Sequence, residues 1–105
     1  MKRRSLGEFE ELMLLLVAYL GDEAYGVTVY KELLKETGRV LNISAVHVAL
    51  NRLDEKGLVS SKYGGISAER GGRRKKYYSL TTLGETVLSE TFELRKRLFQ
   101  RIQFS

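Results

Sequence analysis

A chain of 105 residues has room for one small domain and little for a second. The absence of cysteine and proline excludes disulfides, thiolate zinc sites, cysteine nucleophiles and polyproline ligands, and it suits a reducing cytoplasm and uninterrupted helices. The net charge of +5 is uneven: cations and acids number 6 and 7 in residues 1–40, 8 and 3 in residues 41–80, and 4 and 3 in residues 81–105. A polyanion-binding surface would put the excess in the middle third this way, and so would a solvated charged loop.

The basic start, Met1-Lys2-Arg3-Arg4-Ser5, leads into Glu8, Glu10 and Glu11 and then into an apolar run from Leu12 to Leu20 with no small-residue cleavage site. This is not the pattern of a signal peptide. At nine residues the run is also far below the roughly 20 of a membrane span. Phe9, Leu12, Met13, Leu16 and Leu20 recur at helical spacing, and Gly21-Asp22 supplies a stop, so residues 6–20 are predicted as a first helix. It is apolar nearly all round, which predicts that a second subunit covers one side of it. Residues 25–37 are predicted as a second helix with an apolar stripe of Val27, Tyr30, Leu33 or Leu34, and Thr37, terminated by Gly38.

Asn42 is placed to cap a third helix, whose buried face is predicted as Ile43, Val46, Leu50 and Leu53, with Gly57 as its end. Its opposite face is small and polar: Ser44, Ala45, His47, Val48 and Asn51. Two short stretches follow, Leu58 to Tyr63 and Lys76 to Leu80, with β-branched and aromatic content. They predict a hairpin whose tip carries Gly64-Gly65, Gly71-Gly72 and five cations, Arg70, Arg73, Arg74, Lys75 and Lys76. Strand alternation requires one of Tyr77 and Tyr78 to face the core and the other solvent. Thr82-x-x-Glu85 is read as a capping box for a last helix, on which Val87, Leu88, Thr91, Phe92, Arg95, Leu98, Phe99 and Ile102 form a continuous row.

Three helices followed by a cationic two-stranded hairpin is the order of a winged helix-turn-helix, in a fold that is mostly α with a small β-hairpin. Residues 1–81 form the DNA-binding domain and residues 82–105 a C-terminal dimerisation helix, in one compact unit. A helix that enters a major groove presents short side chains near its N-terminus so that base edges come close, and Asn42, Ser44, Ala45 and His47 meet that requirement, with Asn51 a further candidate on the same face. Cations of the wing, Arg70, Arg73, Arg74, Lys75 and Lys76, serve phosphates and set affinity and register. The candidate dimer contacts are Phe9, Leu12 and Leu16 on the first helix and Leu88, Phe92, Leu98, Phe99 and Ile102 on the last. His47 is the one histidine, and the carboxylates are scattered, so neither a metal site nor another cofactor is expected. No nucleophile elbow, paired carboxylates or nucleotide loop supports an enzyme.

Three segments in order, Gly26 to Leu33, Ser44 to Val59 and Gly71 to Thr81, resemble the PadR family of bacterial transcriptional regulators, over most of the chain from about Leu6 to the last helix. The resemblance implies a winged helix, a two-fold dimer built with the C-terminal helix, and repression from a palindromic promoter site. Ala45-Val46-His47 stands where the family usually shows Thr-Leu-Tyr, so its hydroxyl contacts are lost or replaced. The single C-terminal helix matches the compact branch of the family. The expected function is a cytoplasmic homodimeric regulator of double-stranded DNA, with no membrane partner. Two alternatives stay open: a winged-helix protein-interaction module, and a small-molecule sensor with its ligand at the dimer interface between first and last helices. No residue pattern calls for an effector.

Overall fold

The computed structural model describes residues 6–64 and 75–104. In chain order it contains α1 (Glu8–Leu20), a 3-10 turn (Gly21–Glu23), α2 (Gly26–Thr37), α3 (Ile43–Glu55), β1 (Val59–Tyr63), β2 (Lys76–Leu80) and α4 (Thr82–Gln100). The strands pair antiparallel, with Val59 opposite Leu80 and Tyr63 opposite Lys76. The fold is therefore the expected mostly helical one with a two-stranded wing.

Side chains from the first three helices and the wing make the core: Met13, Leu14 and Val17 of α1, Val29 and Leu33 of α2, Val46, Leu50 and Leu53 of α3, and Leu58 and Val59 at the base of the wing are all at most 1% exposed. Each such aliphatic side chain contributes roughly 1.5–3 kcal/mol by leaving water. Tyr78 is the inward tyrosine of the wing, at 4% exposure. Tyr77 takes the outer side and meets Tyr25 edge to face, with ring centroids 5.1 Å apart.

Three expectations need correction. The buried stripe of α2 runs through Gly26, Val29 and Leu33, while Val27 is exposed. Both stripes fit a 3.6-residue period, and the close approach of α3 to Gly26 selects between them. The all-apolar α1 is covered largely by its own chain, because α2, α3, β2 and α4 all pack against it; Leu16, expected at a subunit interface, is only 6% exposed. The cap of α4 is Thr81 and not Thr82. The Thr81 hydroxyl oxygen accepts from Gly84 N–H at 3.0 Å and its hydrogen goes to the Gly57 carbonyl at 2.6 Å, so one side chain joins the end of α3 to the start of α4.

That junction leaves no room at Gly84. A Cβ there would overlap the Leu58 carbonyl oxygen, a backbone atom that already accepts from Thr81 N–H at 3.1 Å. Gly84→Ala should gain in helix propensity, about 1 kcal/mol, yet lose on the order of 1–3 kcal/mol or more as α4 is forced off the wing base. A urea midpoint lowered at constant slope is the expected result, and a raised midpoint would show that the junction gives way freely.

The first turn of α1 is fastened to the rest by ion pairs. Glu8 meets Arg39 at 2.7 Å, Glu10 meets Lys56 at 2.6 Å, and Glu11 meets Arg95 of α4 at 3.2 Å. Beyond Arg95, the large apolar side chains of α4, Leu98 and Phe99, are exposed.

Candidate nucleic-acid interface

Helix α3 begins as its sequence dictates. Asn42 Oδ1 accepts from the Ser44 N–H at 2.9 Å and from the Ser44 hydroxyl at 2.7 Å. The oxygen is thus committed to the cap, and the Asn42 amide N–H groups are left to donate outward. Ser44 keeps the lone pairs of its hydroxyl. One turn past His47, the Asn51 Oδ1 accepts from the Tyr78 hydroxyl at 3.3 Å, so the wing strand orients this amide in the same sense. Asn42, Ser44, Ala45, His47 and Asn51 are all exposed. Two outward amides and a hydroxyl acceptor on one small-residue face can pair with base edges or phosphate oxygens.

The wing base lies beside this face through the first residues of α2. Gly26 touches the imidazole of His47. Its neighbour Tyr25 receives a hydrogen bond from Lys75 Nζ at 3.3 Å, and the same ammonium stands 4.7 Å from the centre of the Tyr25 ring. The hydrogen bond from Lys75 to the Tyr25 hydroxyl, helped by the charge interaction between them, raises the lysine above its ordinary value. Lys75 is exposed and cationic, and its direction is set by Tyr25. Lys76 stands over the Tyr78 ring at 5.6 Å, and burial raises the Tyr78 phenol, which keeps it a hydrogen-bond donor to Asn51. Strand β2 is sewn to the segment just before α2 by Tyr78 N–H on the Ala24 carbonyl at 2.8 Å. Arg70, Arg73 and Arg74 lie outside the described residues.

Sequence reasoning missed Tyr25. The signal available was its place just before a glycine at the head of a helix, and nothing in the sequence alone joins it to a lysine fifty positions later. The candidate dimer residues divide into two sets. Phe9, Leu12 and Leu88 are half-buried against the core, as Leu16 is fully, while Phe92, Leu98, Phe99 and Ile102 are exposed. An open groove of about 470 Å³ lies between the start of α1 and α3, bounded by Phe9, Glu10, Ala45, Val48 and Arg52. The alternative reading as a small-molecule sensor would instead place its ligand between α1 and α4. Among the described residues no cluster of His, Cys, Asp or Glu could hold a metal ion, and no helix is long and apolar enough to cross a membrane.

The family model of PadR-like transcriptional regulators matches residues 14–90, from within α1 to the middle of α4. The chain belongs to the PadR-like family. Among solved structures of this family, it is similar to a PadR-like transcription factor from Bacteroides fragilis, at 28% identity and a TM-score of 0.73, covering 88% of this chain and 84% of that one. It is similar also to a PadR family transcription regulator from Clostridium difficile, at 25% identity and a TM-score of 0.69, covering 90% and 93%. RosR of H. salinarum superposes with a TM-score of 0.71 at 26% identity, covering 97% and 84%. An uncharacterized protein from Lysinibacillus sphaericus is 31% identical over 86 residues, covering 80% of this chain and 74% of that protein. The chain is thus a winged-helix transcriptional regulator.

Proposed function

We propose that this PadR-like protein is a sequence-specific, non-enzymatic DNA-binding repressor of the cytoplasm that acts as a homodimer on a palindromic operator. Each subunit lays α3 in a major groove, where Asn42, Ser44, Ala45, His47 and Asn51 read base edges, and runs its wing, with Arg70, Arg73, Arg74, Lys75 and Lys76, along the flanking backbone. The observation that carries this reading is the adjacency at the head of α2. Consecutive residues touch His47 of the third helix and Lys75 of the wing, so a base-reading group and a phosphate-reading group share one surface. A protein-interaction module would need large apolar anchors on the exposed face of α3. Val48 is the one sizeable apolar side chain exposed there.

Selection of duplex DNA from a random pool tests the reading, with a palindrome as the expected product and unselected sequence as the overturning one. On the selected operator, Asn51→Ala and Ser44→Ala should each cost on the order of 1–3 kcal/mol, with a smaller loss on random DNA. Ser44→Ala keeps the backbone N–H bond to Asn42, so its thermal midpoint should hold. Equal losses on both kinds of DNA would assign the two residues to the phosphate backbone.

A further inference from the structure

Gly26 is buried at the first position of α2, against the recognition helix. Its backbone gives no reason for glycine, since positive φ angles among the described residues occur at Gly21, Gly38 and Gly57 only. Helix propensity gives none either, because alanine is the better helix former. The steric surroundings do. A Cβ on Gly26 would overlap Cε1 of His47 and lie 3.0 Å from each ring nitrogen. The space a side chain would occupy is filled by the imidazole.

Among the described residues nothing else holds His47: no hydrogen bond or ion pair engages the ring, and the residue is exposed on α3. The seat, in contrast, is fixed on both sides: Tyr25 N–H donates to the Thr28 hydroxyl at 2.9 Å, and the Ala24 carbonyl accepts from β2 at 2.8 Å. An exposed ring pressed on a rigid backbone surface keeps one orientation at little entropic cost when a ligand arrives.

We propose that Gly26 is a positioning residue for sequence reading: it acts through His47, setting the direction in which the recognition helix offers its imidazole. The proposal rests on α3 being the DNA-reading helix. Gly26→Ala obliges the ring to swing away, while the fold keeps every core contact.

A double-mutant cycle on the full chain tests it, with the duplex selected by the wild-type protein as probe. Gly26→Ala should weaken binding about tenfold, the scale of one base contact. His47→Ala should weaken it by a similar factor, and Gly26→Ala added to His47→Ala should cost nothing more. The thermal midpoint of Gly26→Ala should equal or exceed that of the wild type. Because the chain has one histidine, the imidazole C2–H proton gives a single resonance, and in the DNA-free protein Gly26→Ala should move it. Full affinity in Gly26→Ala or in His47→Ala, an undiminished Gly26→Ala loss in the His47→Ala background, or a lowered midpoint in both backgrounds would overturn the proposal. If the wild-type chain selects no DNA, the reading of α3 fails on its own, and an unmoved resonance would then refute the seat separately.

Discussion

Replacing Arg73, Arg74 and Lys75 together by alanine is expected to weaken binding to every DNA sequence alike, with the loss shrinking as salt is raised. Each phosphate contact removed takes away one released counterion, so a plot of log affinity against log salt should flatten by roughly 0.9 per contact, or about 5 for three residues in each of two wings. Lys75 carries a feature that separates it from a loosely solvated lysine. Its ammonium is exposed, yet it is aimed by the Tyr25 hydroxyl and ring. Tyr25→Phe removes the hydrogen bond and keeps the ring, so it should cost a fraction of the Lys75 contribution and leave the salt slope nearly as it was. An unchanged slope in the triple variant would remove the wing from the phosphate backbone and leave its charge as a solvated loop.

The legible parts of the fold were those with strong local chemistry. Asn42 ahead of an apolar period specifies both the start and the buried face of α3, and the structure returns the cap and the core residues Val46, Leu50 and Leu53. The wing strands follow from alternation, since Tyr78 can be inside only if Tyr77 is out. The misread parts were decided by tertiary contacts. Thr81 and Thr82 are equally good caps as residues, and the nearby Gly57 carbonyl selects the first. Val27 and Val29 are equally apolar, and the closeness of α3 to Gly26 decides which one faces in. For α1, the sequence cannot tell that β2 and α4 return to cover it. At the proposed interface, the small polar residue types on α3 are a pattern the sequence displays openly, as groove entry would demand. Which of their atoms are already engaged is not legible there, since the partners of Asn51 and His47 come from β2 and α2.

The largest effect is expected from Leu98→Glu combined with Phe99→Glu, which should convert a dimer to a monomer by light scattering and abolish cooperative operator binding while helical content is kept. Leu98, Phe99 and Ile102 are 52%, 63% and 50% exposed on the end of α4, beyond the Arg95–Glu11 pair that ties this helix to α1. Phe104 adds a second ring 5.9 Å from that of Phe99. None of these side chains supports the subunit core, so charge placed there does not unfold the chain. In an isologous interface each residue is buried twice. At roughly 1.5–3 kcal/mol for a fully buried Leu or Phe, a few such residues per subunit are ample for tight association. Two buried glutamates per subunit, facing their symmetry mates, would have to lose hydration or stay neutral, and either cost exceeds what the remaining contacts supply. All the proposed DNA-reading residues remain in the monomer, so affinity for a half-site should persist with no gain from a second half-site. A variant that stays dimeric with full operator affinity would put the interface elsewhere, and the half-buried Phe9 and Leu12 of α1 would be the next residues to change.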